Sequence, residues 1–478
     1  MQEKAKQNRR NLVVFVLDTL RFDVVQHQGP FPDVATPNLD ALRREGVTFT
    51  RAFGDGQPTI PVRRCLYTGM RSYPWRFSFD RKGLWPTGPG WHKIPPEQTT
   101  LAEHLLAHGY RTALVSDLYH EFKPTLNFTR GFLNWEFIRG QESDNWKGGA
   151  ISREELAHYT PNPDDPMQTA MLRQYLLNKR HFTPNELSGG MTFARAIDWL
   201  DDNHALQPFF LWIECFDPHE PWDPPRAYAD RYMPDYSGRE FIFPHLAGAS
   251  AAERERMKAL YFGEVTYVDS WVGRLLNHLT DLKLLDSTVV MFVSDHGTEL
   301  LDHGRIGKSA PHLFAHNTQL NWVIRHPDGP SGREVDAFVQ NQDLLPTALR
   351  LLEVPALAVD GVDAWPLVNG ATSDRKAVIT GWGDYASVRS ADWNYIVNTV
   401  APAGSERLFN LQSDPLEQTD VASDHSDKVA ACRSQLEAFL GAALPARYAD
   451  SGEGAVAPAR VYAGGVAPSR ERQQAGFV

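Results

Sequence analysis

The chain has 478 residues, 42% hydrophobic and 22% charged, with a formal net charge of -11. That length suits one large α/β domain with a smaller partner, and the composition excludes a disordered or fibrous chain. The acidic balance argues against binding to nucleic acid or to an anionic membrane, while leaving room for a local basic pocket that takes a small anion.

The three cysteines, Cys65, Cys215 and Cys432, are far apart and show no C-x-x-C spacing. Neither a disulfide framework nor a zinc–cysteine site is expected, and a reducing compartment is the natural reading. Six apolar residues follow the basic N-terminal stretch before Asp18 ends the run, too few for a signal peptide. No apolar run reaches membrane-spanning length. The expected location is the cytoplasm.

In chain order, residues 12–17 form an unbroken valine-rich run that predicts a central strand buried on both faces. A short helix is expected over 37–45, stopped by Gly46, and a second strand over 47–53. Residues 97–108 read as an amphipathic helix ending at Gly109, and 111–115 as a strand. The stretch 122–166, rich in aromatics, Gly, Asn and Asp, reads as a long functional insertion. Then come a helix over 192–203, a strand over 208–215, a long helix over 251–282, a strand over 287–293 and a helix over 342–352. This alternation predicts a mostly parallel sheet covered by helices on both faces. Short strands over 377–380, 386–389, 393–397 and 406–411, with a helix over 428–440, predict a small antiparallel-sheet subdomain. The expected division is a catalytic α/β domain over 11–370, an α+β subdomain over 371–445, and a flexible or subunit-packing tail over 446–478.

Ligands of open α/β sheets gather at the carboxyl ends of the strands. The first strand ends at Asp18, the strand over 287–293 runs into Ser294-Asp295-His296-Gly297, and the strand over 208–215 into Asp217-Pro218-His219. The second strand leads into Gln57-Pro58-Thr59-Ile60-Pro61-Val62-Arg63. Each feature alone reads as a helix cap or a turn. Together, carboxylate, imidazole and hydroxyl oxygens make a divalent-cation site.

The runs NLVVFVLDTLRFD and TPNLDALRREGVTFTRAF resemble the opening of the sulfatase family of the alkaline phosphatase superfamily, which includes bacterial sulfatases and phosphonate monoester hydrolases. The loop TIPVR followed by RCLYTG is similar to the family's C-x-P-x-R nucleophile loop, and GYRTALVSD to its second signature. PFFLWIECFDPHEPWDPP, VVMFVSDHGTELLDHGRIGK and LFNLQSDPLEQTDVA also resemble family blocks, so the resemblance spans about residues 11 to 445. It implies an alkaline-phosphatase-like three-layer α/β sandwich with a mostly parallel central sheet and a small C-terminal antiparallel-sheet subdomain. It also implies a metal site from Asp18, Thr59, Asp295 and His296, with Thr59 as nucleophile. Arg63 would hold the loop and the developing anion, and Lys308 and His219 would face the oxyanion or the leaving group. Asp217, His312, His316 and His120 are candidates for a second ion or for substrate contact.

The departures from the family pattern carry information. Threonine cannot be oxidised to the formylglycine that sulfatases make from cysteine or serine. Cys65 does not replace it, because no proline or arginine follows at the needed spacing. A threonine ester must be hydrolysed by direct attack of water, which favours a phosphate or phosphonate mono- or diester. Thr19 replaces a paired aspartate, so manganese or zinc fits better than calcium. Asp117 falls near where many sulfatases have a lysine, a place His120 partly fills. One divalent ion is expected, with two an option. The expected partner is a small anionic ester, with no nucleic acid or membrane, and self-association through the tail is an option. The alternatives are a genuine sulfuric ester hydrolase, a ligand-binding pseudoenzyme without turnover, and a phosphoryl transferase. In the insertion, Trp135, Phe137, Arg139, Gln141 and Glu142 read as an aromatic-stapled loop, or as a wall for a polar organic group.

Overall fold

The structure, a computed structural model, describes residues 9–75, 89–123, 126–182, 187–448 and 461–463. Its strands in chain order are β1 (Asn11–Leu17), β2 (Val47–Phe53), β3 (Gly56–Gln57), β4 (Arg111–Ser116), β5 (Asn134–Phe137), β6 (Phe209–Cys215), β7 (Thr288–Ser294), β8 (Glu299–Leu300), β9 (Ile306–Gly307), β10 (Trp322–Arg325), β11 (Arg333–Gln340), β12 (Ala377–Trp382), β13 (Tyr385–Ser390), β14 (Trp393–Asn398) and β15 (Arg407–Asn410). Eight form the main sheet in the order β11-β2-β10-β7-β1-β6-β4-β5. Only β10 runs against its neighbours.

Every residue of β1, β6 and β7 is buried, which explains their continuous apolar spelling. Side chains alternate across a strand, so β1 serves two cores. Leu12, Val14 and Val16 pack with the helices Ile60–Thr68, Leu101–Ala107 and Leu344–Leu351. Val13, Phe15 and Leu17 pack with Pro37–Glu45, Ser188–Asn203 and Ala251–Asp281. The expected three-layer α/β sandwich is the observed fold.

Several boundaries differ from the sequence expectation for local reasons. The helix expected over 97–108 is Leu101–Ala107. Pro95 and Pro96 block an earlier start, and Thr100 and Glu103 bond each other's backbone N–H groups at 3.1 and 2.9 Å in a capping box. The insertion over 122–166 is not wholly a loop, because β5 adds an edge strand to the main sheet. Its alternation of Trp135 and Phe137 with polar residues spans only four positions and matches no buried face. β10 and β11 went unread as strands.

The small sheet has the order β15-β14-β13-β12-β3. It is antiparallel except at β3, which pairs parallel to β12 with Gly56 opposite Gly381 and Gln57 opposite Trp382. Gly381 N–H donates to Asp55 O at 2.8 Å, and the Thr380 hydroxyl to Gly54 O at 2.6 Å. The segment before Thr59 is therefore part of the C-terminal sheet. Of the tail, only Ala446–Tyr448 and Val461–Ala463 are among the described residues, and these two segments pair antiparallel.

Glu417 ties the small sheet to the short helix Ala315–Thr318. Its carboxylate accepts two bonds from Arg389 at 2.9 Å, one from Asn394 at 2.6 Å and one from Ala315 N–H at 2.7 Å. Both charged side chains are buried. Glu417→Ala strands the Arg389 cation and is expected to cost about 3–5 kcal/mol, whereas the double change Arg389→Met, Glu417→Leu should cost much less. Urea unfolding of the single and double variants measures the difference.

Candidate active site

Parallel register builds the site. Leu17 lies opposite both Cys215 and Ser294. The next residues, Asp18, Phe216 and Asp295, therefore leave the same sheet edge together. Asp18, Asp295 and His296 are fully buried, and one ligand atom from each lies within 4.8 Å of the others. Among the described residues, no other group of three such side chains meets this spacing.

The donors are oriented for a cation. His296 Nδ1 lies 2.9 Å from Gly297 O. A carbonyl can only accept, so Nδ1 carries the proton and Nε2 a lone pair. That Nε2 has no hydrogen-bond partner and lies 3.3 Å from Asp295 Oδ2 and 3.9 Å from Asp18 Oδ1. Burial, with nearby Lys308 and His219, outweighs Asp295 and pushes His296 down to about 4, so the imidazole is neutral. A lone pair facing two carboxylates is repulsive unless a positive ion sits among them. Two carboxylates and an imidazole are a donor set for a divalent ion of the manganese or zinc type.

Burial, together with Asp295, pushes Asp18 up; for Asp295 burial is outweighed by His296, Arg63 and the Thr19 N–H, which hold it down. The Thr19 hydroxyl donates to Asp18 Oδ1 at 2.7 Å, and its N–H to Asp295 Oδ1 at 2.8 Å. At the paired-aspartate position, then, threonine orients both carboxylates.

Thr59 is the N-cap of Ile60–Thr68, with φ +36°, and its side chain makes no capping bond. A β-branched residue with positive φ is strained. Threonine at an N-cap ordinarily uses its hydroxyl on the helix; here the hydroxyl is left for other work. Arg63, one turn later, is fully buried. Its nitrogens reach Glu214 at 3.0 Å, Asp295 at 2.6 Å, Asp18 at 3.0 Å and Thr59 O at 3.3 Å. It locks the loop to both aspartates as expected.

Lys308 donates to Glu220 Oε2 at 2.9 Å. The His219 ring stacks on Phe216 with centroids 4.1 Å apart, and its Nδ1 lies 2.6 Å from Glu220 O. Burial pushes His219 down, so it rests as a proton acceptor at Nε2. Both lie within electrostatic reach of His296.

The second candidate set does not assemble. Gln141 donates to Asp217 at 2.6 Å, beside the buried Asp117, whose carboxylate accepts Phe216 N–H at 2.7 Å. His120 faces Glu142 at 3.3 Å. His312 and His316 face Glu299 at 2.7 and 3.9 Å. His316 also lines a separate cavity of about 870 Å³ between the sheets, with Arg21, Asp302, His303, Arg389 and Glu417. These candidates for a second ion or for substrate contact do not form a three-ligand cluster among the described residues. Asp117 is buried, with one carboxylate oxygen bonded to Phe216 N–H. In the insertion, Phe122 stacks on Phe137 with ring centroids 4.3 Å apart, while Gln141 and Glu142 reach Asp217 and His120.

Sequence reasoning missed Glu214 and Glu220. A carboxylate inside FFLWIEC is itself a signal, because a buried charge requires a partner. Trp212 Nε1 at 2.7 Å and Arg63 supply it.

His296→Ala should lower divalent-metal affinity by more than about 100-fold, since changes to supporting groups alone cost roughly 10–100-fold. Titration of metal-stripped protein with manganese reads this. Burial pushes Asp217 up to about 7, above its unfolded value of 3.8. The folded state therefore holds that proton more tightly. The resulting stabilisation is full below the unfolded value and is lost as pH rises toward the folded one. Asp217→Asn is accordingly expected to gain stability over the parent between about pH 5 and pH 8, on the order of 2 kcal/mol, with metal content unchanged. Thermal unfolding at both pH values, with metal analysis, checks it.

The Sulfatase family model matches residues 10–354. An arylsulfatase of Clostridium perfringens is 25% identical over 461 residues, covering 87% of this chain and 91% of that protein. The multifunctional alkaline phosphatase superfamily protein PehA of Trinickia caryophylli is 25% identical over 496 residues, covering 87% and 92%. The crystal structure of a phosphonate monoester hydrolase of Agrobacterium radiobacter superposes with TM-score 0.69 at 21% identity, covering 91% of this chain and 95% of that one. With Asp18, Asp295 and His296 gathered at the carboxyl edge of a mostly parallel sheet, these matches mean that the chain belongs to the sulfatase family of the alkaline phosphatase superfamily, hydrolases of sulfuric or phosphoric esters.

Proposed function

We propose that this chain hydrolyses a small anionic phosphate or phosphonate ester with Thr59 as nucleophile. The observation that carries the reading is Thr59 itself: it is buried, its hydroxyl is released from capping, and its backbone carbonyl is tied through Arg63 to Asp18 and Asp295. A divalent ion held by Asp18, Asp295, His296 and Thr59 would supply positive charge for the substrate's oxygens and for a deprotonated hydroxyl.

In the first step the Thr59 Oγ–P bond forms as the bond from phosphorus to the leaving oxygen breaks. The Thr59 proton passes to solvent or to His219 Nε2, and the Lys308 ammonium donates to the leaving oxygen. In the second step water attacks phosphorus and Thr59 Oγ leaves, regaining a proton. The N-terminus of the nine-residue helix Ile60–Thr68 adds favourable potential for the anion.

A sulfuric ester hydrolase is the second reading, favoured by the arylsulfatase relative. Against it, a threonine sulfate ester lacks the collapse that frees sulfate from a formylglycine hydrate. A cytoplasmic setting is supported by three free cysteines, two of them buried. No helix among the described residues is long and apolar enough to cross a membrane.

Thr59→Ala should lower turnover at least about 10³-fold, as loss of a nucleophile does, while Thr59→Ser retains activity. Steady-state rates on paired nitrophenyl phosphate, phosphodiester, phosphonate and sulfate substrates test this. Near-full activity of Thr59→Ala would remove the nucleophile assignment, and turnover of the sulfate alone would favour the second reading.

A further inference from the structure

We infer that Glu220 sets the charge preference of this site, so that it takes esters bearing one negative charge in preference to dianionic phosphomonoesters. The inference rests on the reading that the site binds a phosphoryl ester.

The argument is a count of charges. A divalent ion and Arg63 together bring three positive charges, and Asp18, Asp295 and Glu214 all contact Arg63. With all three carboxylates ionised, the centre is close to neutral once loaded. Two lysines stand on the neighbouring wall. Lys308 lies 2.9 Å from Glu220, and Lys123 is held electrostatically by Glu142. The imidazoles of that wall, His120 and His219, are pushed toward neutrality by burial.

Glu220 is the decisive member. Its carboxylate meets Lys308 and lies 3.5 Å from His219, which itself lies within electrostatic reach of His296. Burial works against its charge, but the Lys308 ammonium bonded to it at 2.9 Å favours the ionised form. An ammonium paired this closely presents a dipole rather than a net charge, and a dipole's field falls off faster. A singly charged phosphodiester, phosphonate monoester or sulfate ester needs no further cation. The second charge of a phosphomonoester finds none and is repelled by Glu220. Discrimination by such a repulsive group is a common route to specificity.

The chain loaded with manganese tests this by calorimetry, with inorganic phosphate as the dianion at mildly alkaline pH and dimethyl phosphate as the monoanion. Glu220→Gln should raise the dianion-to-monoanion affinity ratio about tenfold or more, and Glu220→Asp should keep the parent ratio. The kcat/KM ratio of phenyl phosphate to methyl phenyl phosphate should move the same way. A ratio unchanged in Glu220→Gln, or shifted equally in Glu220→Asp, overturns the inference. A shifted binding ratio without turnover in any form would uphold Glu220 and overturn the hydrolase reading instead. Should Glu220→Gln fail to fold by thermal unfolding, Lys308→Gln supplies the complementary arm: the dianion should lose little affinity relative to the monoanion, and a selective loss of tenfold or more overturns the inference.

Discussion

One buried guanidinium holds this site in order. Arg63 is shielded from solvent and contacts Asp18, Asp295 and Glu214 within 3.0 Å. Three carboxylates on the ends of three parallel strands would repel one another in a low-dielectric interior, and each would pay a desolvation cost. The guanidinium's planar fork meets all three at once, which a lysine's point charge does not do. It also reaches back to Thr59 O, so one side chain couples the loop's position to the metal carboxylates. Beneath it, Glu121 lies next to Glu214, accepts from Ser116 at 2.9 Å, and is pushed up by burial and by Glu214. The network thus carries more acid than base, a composition suited to a cation.

What the sequence made legible follows from how strongly each signal is tied to burial. The central strands β1, β6 and β7 are buried along their whole length and read as unbroken apolar runs. The metal triad could be found because parallel register delivers the residues after those strands to one edge. β5 could not, because its exposed, edge-bound residues obey no burial pattern. β10 has only four residues. The second candidate ion set failed for a related reason. Strand ends place Asp217, but His120 and His316 lie in single-turn helices and His312 in a loop, each paired with Glu142 or Glu299, and no local periodicity records such long-range pairings.

The same contrast separates the two roles expected of Arg63. Its spacing from Thr59 is a helical turn, so its hold on the loop is local and readable. Its other partners come from β6 and the ends of β1 and β7. Only the assembled sheet shows how these carboxylates gather around one guanidinium.

The short strand β3 has a temporal meaning. Gly56 and Gln57 are laid down early in synthesis, yet their partner is β12, at Ala377–Trp382. Thr59 follows two residues later and takes its backbone angle from this anchored segment on one side and its helix on the other. On the ribosome, the segment that carries Thr59 must therefore wait for more than 300 residues to emerge before it can be seated. A nascent chain could complete its central sheet and bring Asp18, Asp295 and His296 together while the Thr59 segment still lacks its anchor, so the candidate site is finished almost last.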